Sequence, residues 1–420
     1  MKLLIGGSPC THWSIAQTKN RETEASGIGW ELFLNYRIAR DKYKPDYFLY
    51  ENNKSMSPAI RAQITAELGV EPVLINSALV SAQNRQRLYW VGKRNPDGTY
   101  SQVPVEQPED RGLLLRDILE TGIAWQEKSY CITATEYKGS NPQQTLSKHR
   151  RTMVAEPVRI GTIENDAKTQ AFDSQQYRVY SPDGKSVTLC GNGGGLGAKT
   201  GLYATPVDTD ADGILHLGSL YGQHSRWGVF AKDGKCPTIT ASMGMGGGHV
   251  PMVPTRTDEE GHCQKNPTTA KQIYEVRDGK ISIGNTWHPI KLRDGFYIIR
   301  KLTVRECMRL QTVPEEYVFP VSNSQAYKML GNGWTVDVIA HIMSHFDGLT
   351  TEPVEVLSMY DGMSCGHIAL DKLGADVTAY YATEIDKYAI QTTQHNFPET
   401  IQLGDAFQVR DDDWRLGEEL

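Results

Sequence analysis

Short apolar runs alternate with longer stretches of mixed apolar and polar residues along the first 92 positions of the chain. Apolar runs that end in glycine or polar residues predict strands, and mixed stretches with helical spacing predict helices. In order, the pattern predicts a strand at Leu3–Gly6, a helix at Gly29–Arg40, a strand at Tyr47–Tyr50, a helix at Pro58–Leu68 and strands at Val73–Asn76 and Arg87–Gly92. Such alternation is typical of an α/β fold with a mostly parallel sheet covered by helices.

The pattern changes between residues 93 and 300, where Gly, Asn, Asp, Ser and Thr interrupt short β-branched runs. The stretch VYSPDGKSVTLCGNGGG, from Val179, is echoed by VFAKDGKCPTITASMGM, from Val229, and more faintly by YCITAT, from Tyr130. Each copy has the pattern of a hairpin with a glycine-rich tip. We therefore expect a separate, mostly β module in this region.

Helical spacing returns after Leu302, in TVRECMRLQTV and SQAYKMLGNGWTVDVIAHIMSHF, and a second α/β unit follows from Val354. In order, this unit predicts the strand VEVLSMYDG, a helix at His367–Leu373, the strand AYYATE, a helix from Lys387 and the strand TIQLGD. The chain thus contains two α/β segments separated by a β-rich region.

The composition narrows the class of protein. With 420 residues, the chain has room for two or three domains. No apolar run approaches the roughly 18 residues that span a bilayer, and there is no signal-peptide pattern, so we expect a cytoplasmic protein without a membrane partner. Seven scattered cysteines without a CxxC pair argue against disulfides and structural zinc. With a net charge of −6, any nucleic acid must meet local basic patches.

Residues near the ends of the first strands are candidates for chemistry. Cys10 follows Pro9 in a turn, where backbone N–H groups can lower the pKa of a thiol and make it a nucleophile; a small buried hydrophobe is the alternative. Glu51 ends the apolar stretch YFLYENN, where it can donate a proton; a helix N-cap or a solvent-facing strand end is the alternative. Arg85 and Arg87 share one face of an extended segment. Two arginines in this arrangement can bind a phosphate or a planar group; a solvated strand edge is the alternative.

The second α/β unit has the features of a cofactor site. MYDGMSCG links a strand to a helix, and its glycines allow a ligand to approach the helix N-terminus. The next two predicted strands end at Glu384 and Asp405. An acidic residue at the end of the second strand typically holds ribose hydroxyls. Together these features predict a site for an adenosine-containing cofactor, although each acid alone is also typical of a turn.

Eight segments resemble the motifs of the DNA (cytosine-5) methyltransferases. GGSPCTHWS resembles the catalytic PCQ loop, with Thr11 in place of glutamine; ENNKSM resembles the ENV motif, with Asn53 in place of valine; and QNRQR matches the QxRxR motif. RKLTVRECMRLQTVP and YKMLGNGWTVDVIAHI resemble the segments after the recognition region, and LSMYDGMSCG, TEID and LGDA the three cofactor motifs. The tryptophan in GNGWTV and the Tyr-Asp-Gly sequence are closest to the de novo-type and phage members.

The motif order is unusual, because in the common arrangement the cofactor motifs come first and the PCQ loop follows. The resemblance therefore implies a circularly permuted, Rossmann-like methyltransferase sheet with a smaller, mostly β target-recognition domain. It implies that the first strand and the strand from Val354 lie side by side. The implied catalytic domain comprises residues 1–92 and 323–420, and the target-recognition domain residues 93–322.

The resemblance also implies catalytic roles. Cys10 would be the nucleophile that adds to carbon 6 of a cytosine flipped out of duplex DNA. Glu51 would hold the ring nitrogen and the exocyclic amine. Arg85 would lie near the pyrimidine oxygen, with Arg87 as the second of the pair. The implied methyl donor is S-adenosyl-L-methionine.

The same resemblance implies a set of residues at the cofactor. Glu384 would hold the ribose hydroxyls, Ile385 would pack on adenine, Asp405 would reach the adenine amine, and Tyr360 would pack against the cofactor. The other positions expected there are Asp361, Gly362, Ser364, Gly366, Leu32, Asn332 and Trp334. No metal site is implied.

We expect this protein to be a monomer and to bind double-stranded DNA. A cognate restriction endonuclease is a further candidate partner. The basic cluster KHRR suits phosphate contacts, although a solvated charge run is nearly as good an interpretation. The residues expected at DNA are Ser14, Lys148, Arg150, Arg151 and Arg305. The alternatives are a catalytically silent DNA-binding protein of the same fold, and a related transferase that acts on RNA or uses a modified donor.

Overall fold

The structure is a computed structural model that describes residues 1–9, 12–13, 21–137, 142, 146, 151–157, 159–162, 178–180, 202–203, 216–219, 228–230, 273–283, 286–292 and 295–410. The chain divides into two compact units. The first lies within residues 1–120, 126–152 and 301–420, and the second within residues 121–125 and 153–300. The functional boundaries expected at residues 92 and 322 stay predictions.

The strands, in chain order, are β1 (Lys2–Gly6), β2 (Tyr47–Asn53), β3 (Pro72–Asn76), β4 (Gln86–Arg94), β5 (Tyr100–Gln102), β6 (Met153–Pro157), β7 (Arg159–Thr162), β8 (Arg178–Tyr180), β9 (Leu202–Tyr203), β10 (His216–Ser219), β11 (Gly228–Phe230), β12 (Ile273–Arg277), β13 (Lys280–Ile283), β14 (Thr286–Pro289), β15 (Gly295–Lys301), β16 (Val354–Met359), β17 (Val377–Thr383) and β18 (Ile401–Gly404).

The helices described are α1 (Gly27–Tyr43), α2 (Pro58–Leu68), α3 (Leu115–Ile118), α4 (Val304–Leu310), α5 (Asn323–Asn332), α6 (Val336–Met343), α7 (Cys365–Leu373) and α8 (Lys387–Asn396). Short 3₁₀ helices cover Ser77–Leu79 and Ala406–Arg410. Within the described part of the chain, every helix is too short or too polar to cross a membrane.

The first unit is built on one mixed sheet with the strand order β18-β17-β16-β1-β2-β4-β3, and β5 pairs with β4. The pairs from β18 to β2 are all parallel. Strand β4 runs antiparallel to both β2 and β3. This architecture confirms the predicted α/β class with a Rossmann-like sheet.

Strand β1 lies in the middle of this sheet, where both of its faces are buried. Its apolar sequence suits this position. Leu4 pairs with Leu357 on one side and with Phe48 on the other. Leu3, Leu4 and Ile5 are completely buried, as expected for a central parallel strand. The first strand and the strand from Val354 are therefore neighbours, as the resemblance implied.

Two local differences from the prediction affect the site. Strand β2 continues through Asn53, so Glu51 lies within the strand and pairs with Tyr89 of β4. The strand is longer because antiparallel pairing with β4 carries the ladder past the apolar stretch.

The helical stretch predicted after Ser324 is interrupted. Helix α5 ends at Asn332, and α6 begins only at Val336, because Gly333 and Thr335 are extended, with ψ of 168° and 108°. A Cβ on Gly333 would lie 3.1 Å from both Cys365 Sγ and the Met329 carbonyl oxygen. The tightly packed glycine allows this break, which turns the intervening Trp334 towards Glu51.

The second unit contains three small sheets among the described residues. One has the order β14-β13-β12-β15-β6, one has β7-β8-β9, and one is the pair β10-β11. The register between β12 and β15 is antiparallel, with Ile273 opposite Ile298. These sheets agree with the β-rich texture of this part of the sequence.

Candidate active site

The carboxylate of Glu51 is held from two sides. Its Oε1 lies 3.0 Å from Arg87 Nε, and its Oε2 accepts a hydrogen bond of 3.0 Å from Trp334 Nε1. A Cβ on Gly7, directly after β1, would lie 2.8 Å from Glu51 Oε2. The glycine therefore allows the turn after β1 to pass against the carboxylate. The ion pair and the indole hydrogen bond fix the orientation of the acid.

The two arginines of QNRQR have different environments. Arg85 is buried, and its guanidinium donates to the carbonyl oxygens of Ile132 (3.1 Å), Gly331 (3.3 Å) and Gly333 (2.8 Å). Its donors therefore brace two backbone segments, one at Ile132 and one at the end of α5. Arg87 is the arginine beside Glu51. The structure thus separates a bracing arginine from one that faces the candidate catalytic acid.

Cys131 lies between these arginines. Its Sγ accepts from Arg85 Nη1 at 3.3 Å and lies 3.8 Å from Arg87 Nη2. Burial acts to raise the pKa of Cys131, but the two positive charges outweigh it and lower the pKa below the ordinary value. The four side chains form a row in the order Glu51, Arg87, Cys131 and Arg85.

Four of the expected site residues, Cys10, Ser14, Lys148 and Arg150, lie outside the described residues. The chain on both sides of Cys10 is described: Ser8 and Pro9 precede it, and Trp13 follows. Ser8 is buried beside Tyr50 and Asn52 at the end of β2. The segment that leads towards the candidate nucleophile therefore leaves β1 next to the strand that carries Glu51.

The turn after β16 has an unusual backbone. Tyr360, Gly362 and Ser364 have φ values of 62°, 61° and 57°, which are rare for residues other than glycine. The half-buried Asp361 side chain fixes this turn: its Oδ1 accepts from Ser358 Oγ (2.7 Å) and its Oδ2 from Ser364 Oγ. Burial raises the pKa of Asp361 to about 6, and the hydroxyl hydrogen bonds oppose that shift.

Glu384 is fixed at the end of β17 by backbone N–H groups. Its carboxylate accepts from Gly362 at 2.9 Å and from Ile385 and Asp386 at 2.8 Å each. Ile385 is 75% exposed, although it is a large apolar residue. A Cβ on Gly362 would meet nothing within 4 Å. A rigid acid, open space beside a glycine and an exposed apolar side chain fit a ligand with a hydroxylated sugar and a flat apolar base.

The remaining residues expected at the cofactor fall into two groups. Tyr360 donates to the Leu32 carbonyl at 2.6 Å, and Asp405 lies near enough to raise the pKa of Tyr360 further, after burial. Asn332 is exposed at the end of α5. Ser364 is fully buried, and a Cβ on Gly366 would lie 2.2 Å from Ile5 Cδ1. Ser364 and Gly366 therefore pack inside the unit, and their contacts support the turn from behind.

The described residues expected at DNA make contacts within the first unit. Arg151 Nη2 lies 3.3 Å from Thr135 Oγ1. Arg305 is 58% exposed and forms ion pairs with Glu120 at 3.5 Å and Glu315 at 3.3 Å. Exposed pairs of this kind contribute little to stability.

Sequence reasoning did not single out Cys131 or the buried group Ser8, Tyr50 and Asn52. Asn52 lies inside the ENN motif, and this position in the sequence was only a weak indication that it lies close to the segment before Cys10. Cys131 belongs to YCITAT, which attracted attention only as a hairpin echo. Its approach to two arginines 44 and 46 positions away depends on the tertiary fold.

Sheet and site together define a class. A parallel α/β sheet with a strained turn after one strand and a fixed acid after the next is the framework of nucleotide-binding α/β proteins, and the candidate catalytic acid lies two strands from that turn.

Comparison with known proteins gives the family. The sequence model of a family described as C-5 cytosine-specific DNA methylase matches residues 1–347. The chain therefore belongs to the C-5 cytosine-specific DNA methyltransferases, which methylate cytosine in DNA with S-adenosyl-L-methionine as the implied donor. The predicted family and enzyme class are confirmed.

The curated relatives are phage and bacterial enzymes. The chain is 28% identical over 437 residues to the orphan methyltransferase M.Rho11sI of Bacillus phage rho11s, covering 81% of this chain and 83% of the relative. It is 54% identical over 349 residues to the type II methyltransferase M.HpaII of Haemophilus parainfluenzae, covering 80% and 69%. The structure of a methyltransferase of Entamoeba histolytica aligns with 82% of this chain and with 76% of the Entamoeba chain. The two sequences are 10% identical in this alignment, and the TM-score is 0.32. That score is too low to compare the two folds.

Proposed function

We propose that this enzyme transfers a methyl group to carbon 5 of a cytosine flipped out of double-stranded DNA, at a specific sequence and through a covalent adduct of Cys10. The observation that carries the proposal is the order of three adjacent strands. The turn that leads to Cys10 follows β1, Glu51 lies on β2, and the strained turn follows β16. Because the three strands are parallel, their carboxyl ends lie at one edge of the sheet, where we expect these groups to gather.

The reaction requires activation of an aromatic ring. The Cys10 thiolate adds to carbon 6, and the electron pair of the 5,6 double bond becomes available at carbon 5. S-adenosyl-L-methionine supplies an electrophilic methyl group when it is bound. Once carbon 5 carries the methyl group, its proton passes to water, the electron pair of the carbon–hydrogen bond restores the 5,6 double bond, and the Cys10 thiolate leaves with the electron pair of the carbon–sulfur bond. Glu51 stabilises the charge that develops on the ring during thiolate addition. A base inside the stacked duplex is out of reach, so the cytosine must be extruded.

The contacts support an exchange of roles between the two arginines. Sequence reasoning assigned Arg85 to the pyrimidine oxygen, but its donors are directed to three backbone carbonyls. Arg87 pairs with Glu51. We assign Arg87 to the face of the flipped base and Arg85 to the support of the surrounding backbone.

The cofactor residues follow from the fit of the site. Glu384 would hold the ribose hydroxyls, Ile385 would cover the adenine, and Asp405 would reach the adenine amine. Tyr360 and Leu32, joined by a hydrogen bond of 2.6 Å, would border the same ligand. Asn332 and Trp334 would close the pocket from the α5–α6 break.

We further propose that the catalytic sheet is circularly permuted. The family match ends at residue 347, before β16, although β16 pairs with β1 throughout its length. The motifs after residue 354 therefore complete the sheet from the opposite end of the order usual in the family. Residues 93–322 would form the target-recognition domain, with Lys148, Arg150, Arg151, Arg305 and Ser14 at the DNA.

A role in restriction–modification or phage DNA protection is supported by the names of the relatives, which include a type II methyltransferase and an orphan phage methyltransferase. A cognate endonuclease, a cytoplasmic location and a monomeric state belong to the same proposal. Bisulfite sequencing of DNA from expressing cells identifies both the methylated base and its sequence. Unmodified cytosines throughout would contradict the role.

The chemistry is tested with purified protein, duplex DNA and donor that carries a tritiated methyl group. We expect label in DNA with the wild type and none with Cys10→Ala. Glu384→Ala should retain turnover at saturating donor but raise the donor KM. Label in RNA alone, or transfer by Cys10→Ala at the wild-type rate, would refute the proposal; no label with any substrate would favour a silent DNA-binding protein.

A further inference from the structure

A pair of hydroxyl groups is buried below the turn that leads to Cys10. Ser8 Oγ and Tyr50 OH lie 2.6 Å apart, and both side chains are buried. Asn52 Nδ2 donates to the Ser8 carbonyl oxygen and to Tyr50 OH, each at 3.2 Å. Ser8 is thus held through its side chain and through its backbone, two positions before Cys10.

The other side of the turn is tied to the same strand end. Arg21 Nε donates to the Trp13 carbonyl at 3.2 Å, and Arg21 Nη2 donates to the Ser55 carbonyl at 2.6 Å. Ser55 Oγ donates to Asn53 Oδ1 at 2.6 Å. Residues 50–55 are therefore linked to the chain on both sides of Cys10, directly to Ser8 before it and through Arg21 to Trp13 after it.

The Tyr50 hydroxyl is a fixed point, because its ring is enclosed by other aromatic rings. The ring centroids of Tyr36, Phe33 and Trp90 lie 4.8, 5.3 and 5.7 Å from that of Tyr50. Burial raises the pKa of Tyr50 well above its ordinary value, so the hydroxyl keeps its proton. A rigid, protonated hydroxyl can hold Ser8 in one orientation.

We propose that Tyr50 is a positioning residue that holds Ser8, and through it aims the Cys10 thiol at carbon 6 of the base. This inference rests on the proposed role of Cys10. A nucleophile must be held in a near-attack geometry, and small displacements reduce the rate strongly. The contribution of Tyr50 should therefore appear in the chemical step and leave ligand binding unchanged.

The test compares Tyr50→Phe with Tyr36→Phe. The Tyr36 hydroxyl is also buried in this aromatic cluster, but among the described residues its hydrogen bond goes to the Leu49 carbonyl at 2.9 Å and not to Ser8. For Tyr50→Phe we expect kcat to fall about tenfold, with KM for DNA and donor within about twofold. Tyr36→Phe should keep kcat within about twofold at a similar loss of thermal stability.

Two further measurements separate positioning from folding. Covalent capture of duplex DNA that contains 5-fluorocytosine should slow by the same factor as kcat in Tyr50→Phe. The double variant Ser8→Ala/Tyr50→Phe should have a kcat no lower than that of the slower single variant, because each substitution removes the same hydrogen bond. Equal kcat in Tyr50→Phe and wild type, or parallel losses in Tyr50→Phe and Tyr36→Phe, would overturn the proposal.

A thiol measurement keeps this inference separate from the proposed function. The rate at which iodoacetamide alkylates Cys10, read by peptide mass spectrometry without DNA, reports the environment of the sulfur directly. We expect it to differ by at least about threefold between Tyr50→Phe and wild type, and to be unchanged in Tyr36→Phe. An unchanged rate in both variants would overturn the positioning role, whereas an inactive wild type with the expected alkylation pattern would refute only the methylation chemistry.

Discussion

Protonation of His367 should weaken the catalytic unit at mildly acidic pH. The imidazole on α7 is stacked between the rings of Tyr380 and Phe397, at centroid distances of 4.4 and 3.9 Å. Burial lowers the pKa of His367 from 6.5 to about 4, and the charge of Glu399, whose Oε1 lies 3.6 Å from Nε2, only partly opposes it. The folded protein therefore keeps the ring neutral where an unfolded chain already binds a proton.

The sign and size follow from proton linkage. The pKa of His367 is lower in the folded protein than in the unfolded chain. The free energy of unfolding is therefore highest above pH 6.5, where the ring is neutral in both states, and it falls as the pH drops towards 4. The shift of roughly 2.5 units corresponds to about 3.4 kcal/mol in total. Between pH 7 and pH 5, the same relation gives a loss of about 2 kcal/mol.

The assay compares wild type with His367→Phe, which keeps an aromatic ring in the stack but cannot titrate. Urea unfolding followed by tryptophan fluorescence gives the free energy of unfolding of each protein at several pH values. The difference between the two cancels the titration of all other groups. We expect that difference to shift by about 2 kcal/mol in favour of the variant from pH 7 to pH 5. A difference constant within about 0.5 kcal/mol would refute the reasoning.

Three further variants test other parts of the site. Trp334→Phe keeps the ring but removes the N–H that donates to Glu51, so kcat in steady-state methylation should fall about tenfold; an unaltered kcat would argue against that contact. Gly331→Ala would bring a Cβ to 2.1 Å from the Thr133 carbonyl carbon, so urea unfolding should reveal a loss of at least about 3 kcal/mol, and normal stability would contradict this close approach. Asp361 has a pKa raised from 3.8 to about 6, so the wild type should lose up to about 3 kcal/mol relative to Asp361→Asn as the pH rises through that interval; parallel pH profiles of unfolding would rule this out.

The elements of the catalytic sheet were predictable because their signals are local. The apolar run at β1 and the periodic pattern of α2, with Ser57 as its cap and Gly69 after its end, are contained in short windows. The pairing of β1 with β16 followed only from the motif order, since no local pattern specifies a partner so far along the chain.

The site was less predictable because its contacts depend on tertiary packing. QNRQR has two equivalent arginines by sequence, yet only the fold directs Arg85 to backbone carbonyls and Arg87 to Glu51. The break between α5 and α6 was hidden within a continuous helical pattern. The lowered pKa of Cys131 likewise arises from residues distant in sequence.

The position of β1 has a consequence for how the protein is made. Lys2 pairs with Glu355, so the central strand of the sheet waits for one of its two neighbours until that distant segment leaves the ribosome. At roughly 5–20 residues per second, this delay lasts on the order of 20–70 seconds. During that time the apolar edge of β1 is open to wrong strands, and chaperone dependence during synthesis is the expected cost of this chain order.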